Sequence, residues 1–153
     1  MASYCVTLEK NIASALWCRY CDKLSIVVAL LSGEFIIIDY PSFNIIQSIL
    51  PANSESIYAV AVNRSQDKIA LACNRGSGTI GFVSIYSTNE DLTLLAKSDD
   101  FESQVLSVCF DDNDYIYAGT SFGKIGRIEP DTGRIITTYD ASLSAKCSIF
   151  ALT

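Results

Sequence analysis

One glycine recurs along the chain at a fixed interval. Gly33, Gly78 and Gly123 are spaced 45 residues apart, and each lies between two runs that are rich in apolar residues. A period of about 40–45 residues is the length of a repeating unit of four short strands. Such a unit cannot bury its apolar face alone and needs a neighbour to cover it. The period therefore predicts a tandem array of small sheets.

A second landmark keeps nearly the same period. Segments that alternate apolar and small residues begin at four positions, at intervals of 45, 48 and 44 residues: Ile12, Ile57, Val105 and Ile149. Two independent landmarks with one period indicate a true internal repeat.

Four strands can be recognised in each complete repeat. In the third repeat, 104–110, 115–119, 124–129 and 134–139 are rich in β-branched and aromatic residues, and turn residues separate them. No segment has the 3.6-residue apolar period of an amphipathic helix. We therefore predict an all-β chain of three four-stranded antiparallel units, followed by the first strand of a fourth: 12–50, 56–99, 104–140 and 147–153.

Charge bears on the class of partner. Half of the 153 residues are hydrophobic, which is typical of a core-forming protein, and the net charge is −6. The eleven Lys and Arg residues are scattered, and the densest group is Lys124, Arg127 and Arg134. Binding to a phosphate backbone needs clustered basic side chains. The charge therefore argues against direct nucleic-acid binding and favours protein partners.

Neither a membrane span nor a secretion signal is indicated. The longest apolar run, 26–31, is far shorter than the roughly 20 residues that a membrane helix needs. The first ten residues lack a basic start followed by an apolar stretch. We therefore expect an intracellular protein in which the six cysteines are reduced.

The residues of common catalytic and metal sites are missing. The chain has no histidine, which excludes Ser-His-Asp and Cys-His arrangements. The lone C-x-x-C pair, Cys18 and Cys21, has no second pair to complete a zinc site, and we assign it to the turn after the first strand. Solvation and backbone bonding in a turn explain Asp111, Asp112 and Asp114. No catalytic, cofactor-binding or metal-binding residue is predicted.

Two stretches share one frame. Residues 33–39 (GEFIIID) and 123–129 (GKIGRIE) both run from a glycine turn into a strand that ends on an acidic residue, and a turn, 131–133 (DTG), follows the second. These motifs resemble degenerate WD repeats. The resemblance implies a partial WD-repeat-type β-propeller built from four-stranded blades. On that resemblance, the residues of the repeat turns are Gly33, Gly78, Gly123, Asp39, Glu129, Asp131 and Gly133.

The copies also depart from the family pattern. Ile38 and Ile128 stand where the family has tryptophan, and the family's Gly-His dipeptide is missing. The hydrogen-bonded group that needs that tryptophan and histidine cannot form. We therefore expect blades that are held together by apolar packing.

The order of motifs over residues 12–153 is similar to one branch of the WD-repeat family, the cirhin branch of the small-subunit processome, which acts with the U3 small nucleolar particle. The similarity implies a non-catalytic scaffold in ribosome biogenesis and 18S pre-rRNA processing, with a nuclear and nucleolar location and pre-ribosomal protein partners. The alternative is a general WD-repeat adaptor in ubiquitin ligation or trafficking. A ligand-binding or enzymatic propeller would need polar groups at the starts of the first strands, where the chain has Ile12, Ile57, Val105 and Ile149.

Three units are fewer than the roughly four to eight blades that close a propeller. The outer faces of the first and last units should then expose apolar surface, which soluble monomers rarely tolerate. We therefore expect further blades or a partner chain to complete the domain.

Overall fold

The computed structural model describes residues 7–89 and 91–141. Regular structure in these residues is β-strand. The strands are β1 (Ile12–Tyr20), β2 (Lys23–Leu30), β3 (Phe35–Asp39), β4 (Ile45–Ile49), β5 (Ser56–Val62), β6 (Lys68–Arg75), β7 (Ile80–Ser87), β8 (Leu94–Lys97), β9 (Val105–Phe110), β10 (Ile116–Thr120), β11 (Lys124–Ile128) and β12 (Ile135–Asp140). None of the described residues belongs to a helix with the length and apolarity required to cross a membrane.

The twelve strands form three antiparallel sheets of four strands each, and hairpin turns connect the strands within a sheet. The strand orders are β1-β2-β3-β4, β5-β6-β7-β8 and β9-β10-β11-β12, and we name these sheets blade 1, blade 2 and blade 3. The prediction of an all-β chain with three four-stranded blades is confirmed. The predicted first strand of a fourth blade, within 147–153, lies outside the described residues.

One detail of the first hairpin differs from the sequence prediction. β1 continues through residue 20, so Cys18 lies in the strand with a fully buried side chain, and only Cys21 lies in the turn. Cys21 has a φ of 48° and is exposed. The longer strand is favoured because Cys18 and Tyr20 both face the apolar junction with blade 2.

Two apolar clusters join the three blades. Phe35 of blade 1 and Tyr86 of blade 2 meet at the first junction, where their ring centroids are 5.1 Å apart. The first cluster consists of Cys18, Tyr20, Val27, Ala29, Phe35, Ile37, Ile57, Val60, Ile69, Leu71, Cys73, Phe82, Tyr86 and Leu92. The second, between blades 2 and 3, consists of Ala61, Ala70, Ala72, Val83, Ile85, Phe101, Val105, Val108, Ile116, Ala118 and Ile128.

Blade 2 lies between the other two blades and is covered on both faces. All but the end residues of β6 and β7 are therefore buried. This two-sided burial explains the nearly continuous apolar composition of these strands, because alternation of apolar and polar residues is expected only where one face meets water.

Candidate interaction surfaces

Two of the three repeated glycines lie where one blade meets the start of the next. Gly33, in the turn between β2 and β3, has a φ of 89°, and a Cβ there would lie 2.8 Å from the backbone of Ser54 and Glu55. Gly78, in the turn between β6 and β7, has a φ of 81°, and its Cβ would overlap the side chain of Gln104. Both the positive φ and the close approach favour glycine. Gly123, with a φ of 73°, lies in the matching turn of blade 3.

The acidic residues of the shared frame bond within their own turns. The Oδ2 atom of Asp39 accepts a hydrogen bond from the Ser42 hydroxyl at 2.6 Å, and Oε2 of Glu129 accepts one from the Thr132 hydroxyl at 2.7 Å. The Glu129 carbonyl also accepts from the Gly133 N–H at 2.9 Å. These groups shape the turns β3–β4 and β11–β12.

Gly133 also joins blades 2 and 3. It has a φ of 74°, and a Cβ there would overlap the Lys97 carbonyl oxygen. Its own carbonyl oxygen accepts a hydrogen bond from the Asp99 N–H at 3.2 Å. The turn after β11 is therefore pressed against the chain that leaves blade 2.

A buried amide organises the turn between β5 and β6. Asn63 is fully buried, and its Oδ1 accepts hydrogen bonds from the N–H groups of Asp67 at 3.1 Å and Lys68 at 2.9 Å. Its Nδ2 donates to Asp67 Oδ1 at 2.6 Å and to both carboxylate oxygens of Asp114 at 3.1 Å. Lys68 Nζ lies 2.9 Å from Asp114 Oδ2. Asp114 is thus a link between blades 2 and 3, and not only the solvated turn residue that the sequence predicts.

The electrostatics of this group favour the charged forms. Partial burial alone would lower the pKa of Lys68, but the hydrogen bond to Asp114 and the nearby charges of Asp67 and Asp131 outweigh it and raise that pKa. Partial burial would likewise raise the pKa of Asp67, but hydrogen bonds from Asn63 and the Ser65 side chain lower it. At neutral pH the positive charge of Lys68 is therefore paired with the negative charges of Asp67 and Asp114, and the group stabilises the contact between blades 2 and 3.

Asn74 makes a second polar link between blades 2 and 3. Its side chain is fully buried, its Nδ2 donates to the Val105 carbonyl at 3.0 Å, and its Oδ1 accepts from the Val105 N–H at 2.8 Å. The amide thus imitates one rung of a β-ladder. Asn74 is not among the residues predicted from the sequence. The available signal was an asparagine directly after the apolar run of β6.

The buried thiols are unreactive. Burial raises the pKa of the Cys18 and Cys73 thiols to about 11, and it also raises the pKa of Cys109. Thiols with such values are protonated at neutral pH and are poor nucleophiles and metal ligands. Over residues 7–89 and 91–141, no group of three or more Cys, Asp or Glu side chains is arranged to hold a metal ion.

The structure separates the basic residues that lie close in sequence. Lys124 and Arg127 are three positions apart on β11 and so point to opposite faces of the sheet. The Arg127 guanidinium lies 3.9 Å from the centre of the Tyr115 ring, and Lys124 is exposed. They do not form one basic patch.

An open groove lies where blade 1 connects to blade 2. Its volume is about 560 Å³, and we call it the rim groove. The groove is lined by Leu50, Pro51, Ala52, Asn53, Ser54, Glu55, Arg75, Gly76 and Ile80. Leu50 is 64% exposed on its edge. Arg75 is held by Asp100, and its Nε has no hydrogen-bond partner among the described residues. Apolar walls with a charge of each sign are typical of a binding groove.

The far side of blade 1 is apolar and has no blade against it among the described residues. We call it the far face. It contains the buried side chains of Val28, Leu30, Ile36 and Ile38, with Leu8, Ile26 and Phe43 packed at their edges. Trp17 and Ile45 are exposed beside them.

Comparison with known proteins gives the fold. No family model matches the sequence. The computationally designed protein Ika4 is similar with a TM-score of 0.72 and 16% identity, over 94% of this chain and 83% of that chain. The Swd1 β-propeller domain of Myceliophteria thermophila is similar with a TM-score of 0.68 and 17% identity, over 88% of this chain and 45% of that chain.

A third structure, a humanized mutant of the Chaetomium thermophilum Polycomb Repressive Complex 2 bound to an inhibitor, contains a chain with a TM-score of 0.68 and 15% identity, over 84% of this chain and 29% of that chain. The protein thus spans less than half the length of the last two chains. At such identities the likeness concerns the fold. The described residues form three blades of a β-propeller.

Proposed function

We propose that the chain is a non-catalytic WD-repeat scaffold that binds other proteins. The observation that carries the proposal is the concentration of exposed apolar side chains on and beside blade 1. Fourteen large apolar side chains are exposed among the described residues, and nine of them belong to blade 1 or follow it directly: Ile12, Leu16, Trp17, Leu24, Leu31, Tyr40, Ile45, Ile46 and Leu50. Large exposed apolar patches on soluble proteins mark interaction sites.

The rim groove is the part of this surface suited to a segment of another protein. Leu50 supplies an exposed apolar contact at its edge, and Glu55 and Arg75 supply polar contacts of opposite sign. A short extended segment with one apolar anchor and flanking charges fits this arrangement. We therefore assign the groove to a partner protein rather than to nucleic acid, in keeping with the net charge of −6.

The motif order supports a more specific proposal. The similarity to the cirhin branch of the WD-repeat family favours a subunit of the small-subunit processome, at work in 18S pre-rRNA processing in the nucleolus. The similar chain in a Polycomb complex accords with a role in a multi-protein assembly, but does not bear on the ribosomal one.

Affinity capture with matched variants tests the scaffold. Tagged wild-type chain, a Leu50→Asp variant and a Leu94→Asp variant are compared in extracts of the source cells, with captured proteins quantified by mass spectrometry. Leu94 is exposed on the outer strand of blade 2, away from the groove. We expect a specific partner that wild type and Leu94→Asp retain and that Leu50→Asp loses by at least about tenfold. Equal capture by all three chains would contradict the groove assignment.

Sedimentation of the captured assembly tests the ribosomal proposal. Cofractionation with small-subunit precursor particles is the expected result. Cofractionation with a ubiquitin ligase or a trafficking complex would overturn the ribosomal proposal and leave the scaffold intact.

A further inference from the structure

The groove at the junction of blades 1 and 2 has a counterpart at the next junction. The rim groove lies between the segment that enters blade 2, 50–55, and the turn from β6 to β7. A second groove of about 290 Å³ lies between the segment that enters blade 3, 100–103, and the turn from β10 to β11. The same elements of successive blades therefore form both grooves.

The second groove has an exposed aromatic side chain at its edge. We define this groove by Asp100, Phe101, Glu102, Phe122, Lys124 and Ile135. Phe122 is 50% exposed in the β10–β11 turn, one residue before the repeated glycine, where blade 2 has Ser77. Aromatic side chains at the edge of a pocket are frequent anchors for a bound protein. Phe122 therefore corresponds to Leu50 of the rim groove as an apolar contact.

The two grooves share a wall. Ile80 lines the rim groove, and its neighbour Gly81 pairs with Phe101 of the second groove through two backbone hydrogen bonds, of 3.3 and 2.7 Å. Across the same wall, Arg75 of the rim groove forms an ion pair with Asp100 of the second groove. The grooves are therefore adjacent, and one extended segment can pass from one into the other.

Each groove has a carboxylate without a counter-charge. Asp100 is held between Arg75 and Lys97, so these three charges are engaged with one another. Glu55 in the rim groove and Glu102 in the second groove are exposed, and neither makes an ion pair with any residue of 7–89 and 91–141.

The lysine of the second groove faces a charge of its own. Lys124 lies directly opposite Asp140 in the pairing of β11 with β12, and opposite charges at such positions attract each other. Together with the net charge of −6, the carboxylates of Glu55 and Glu102 favour a partner with basic side chains.

Building on the proposed scaffold function, we propose that one extended, basic segment of a partner protein occupies both grooves at once. The segment places one apolar side chain beside Leu50 and a second beside Phe122, with a Lys or Arg next to Glu102. Joint occupancy strengthens binding because the second contact becomes intramolecular once the first has formed.

Selection from a phage-displayed library of random peptides on the purified full-length chain tests this chemistry. We expect the enriched peptides to share two separated apolar positions and a Lys or Arg. An enriched family of acidic peptides, or no enriched family, would overturn the proposal.

Apolar-to-charged variants locate an enriched peptide on the chain, with its dissociation constant measured by fluorescence anisotropy. Leu50→Asp and Phe122→Asp should each weaken binding by at least about tenfold, because each places a charge against an apolar side chain. Leu95→Asp is the control, since Leu95 is exposed on β8 and lines neither groove. The three side chains are between 43% and 64% exposed, so the variants should fold, which far-ultraviolet circular dichroism checks.

A charge exchange tests the contact with Glu102. Glu102→Lys should weaken binding of the basic peptide by at least about fivefold, and a peptide with Glu in place of its Lys or Arg should bind Glu102→Lys more tightly than wild type. A structural effect of the substitution alone would not produce this exchange. Asp112→Lys is the matched control and should bind like wild type, because Asp112 is exposed at the opposite end of β10.

The pattern of losses separates the second groove from the proposed function. Weaker binding by Leu50→Asp alone would leave the rim groove and the scaffold intact and overturn the joint occupancy. Weaker binding by Phe122→Asp alone would contradict the rim groove and, with it, a segment shared by both grooves. Equal binding by all variants would overturn both assignments.

Discussion

At the scale of single residues, Asn74 connects two blades through one side chain. Replacing it with alanine removes both hydrogen bonds to the Val105 backbone and leaves that buried N–H and C=O without partners. We expect Asn74→Ala to lower the free energy of unfolding by about 2–4 kcal/mol. Urea unfolding measures the change. Asn113→Ala, in the exposed turn of blade 3, is the control and should cost less than about 0.5 kcal/mol. Equal costs would contradict the link.

Asp67 should make stability depend on acid pH. Its pKa in the folded chain lies below the ordinary value of 3.8, since hydrogen bonds from Asn63 and Ser65 outweigh its partial burial. The unfolded chain therefore takes up this proton first as the pH falls, so the stabilisation is complete above about pH 5 and is lost progressively as the pH falls through 3.8 and then through the lower pKa of the folded chain. The gap in unfolding free energy between wild type and Asp67→Asn should shrink from pH 6 to pH 3.

The control for this titration is Asn113→Ala. The Asn113 side chain is exposed and does not ionise at any of these pH values. Urea unfolding at a series of pH values should give a nearly constant gap for this variant. A gap for Asp67→Asn that also stays constant would show that Asp67 does not carry the pH dependence.

At the scale of strands and turns, a comparison of two glycines distinguishes the cost of backbone strain from the cost of a steric clash with a neighbouring segment. Gly133 and Gly76 both have positive φ, but a Cβ at Gly133 meets the Lys97 backbone, whereas a Cβ at Gly76 meets only the Thr79 hydroxyl at 3.0 Å. Gly133→Ala should therefore destabilise by roughly 3 kcal/mol or more, and Gly76→Ala by roughly 1 kcal/mol. Thermal or urea unfolding of the two variants checks the order. A larger loss for Gly76→Ala would mean that the contact with Lys97 does not limit this position.

At the scale of the whole molecule, the protection of backbone amides from hydrogen exchange should depend on how many faces of a blade are packed against a neighbour. Blade 2 is packed on both faces, whereas the outer strands β4 and β12 are largely exposed. Hydrogen exchange followed by mass spectrometry should find the slowest amides in β6 and β7 and the fastest in β4 and β12, because local opening costs least where few apolar contacts are lost. Uniform protection across the three blades would contradict this order.

The local fold followed from the sequence because its signals are local. The period of Gly33, Gly78 and Gly123, the alternation of small and apolar residues, and turn residues such as Asp131 and Gly133 each act within one hairpin. They were sufficient to predict four strands for each blade. The tertiary structure adds that Gly33, Gly78 and Gly133 also touch the neighbouring blade, where a Cβ would collide with it.

The links between blades could not be predicted from the sequence. Asn63 and Asp114 are 51 residues apart, and Asn74 and Val105 are 31 residues apart. Neither the residues around one partner nor those around the other indicate that the two will meet. The exposure of Ile12 is likewise a property of the assembly, since the same position is buried in blades 2 and 3. The sequence determined the unit and its turns, because those depend on neighbouring residues. Only the packing of one blade on another decided which polar side chains are buried and which apolar side chains at the edge of blade 1 stay exposed.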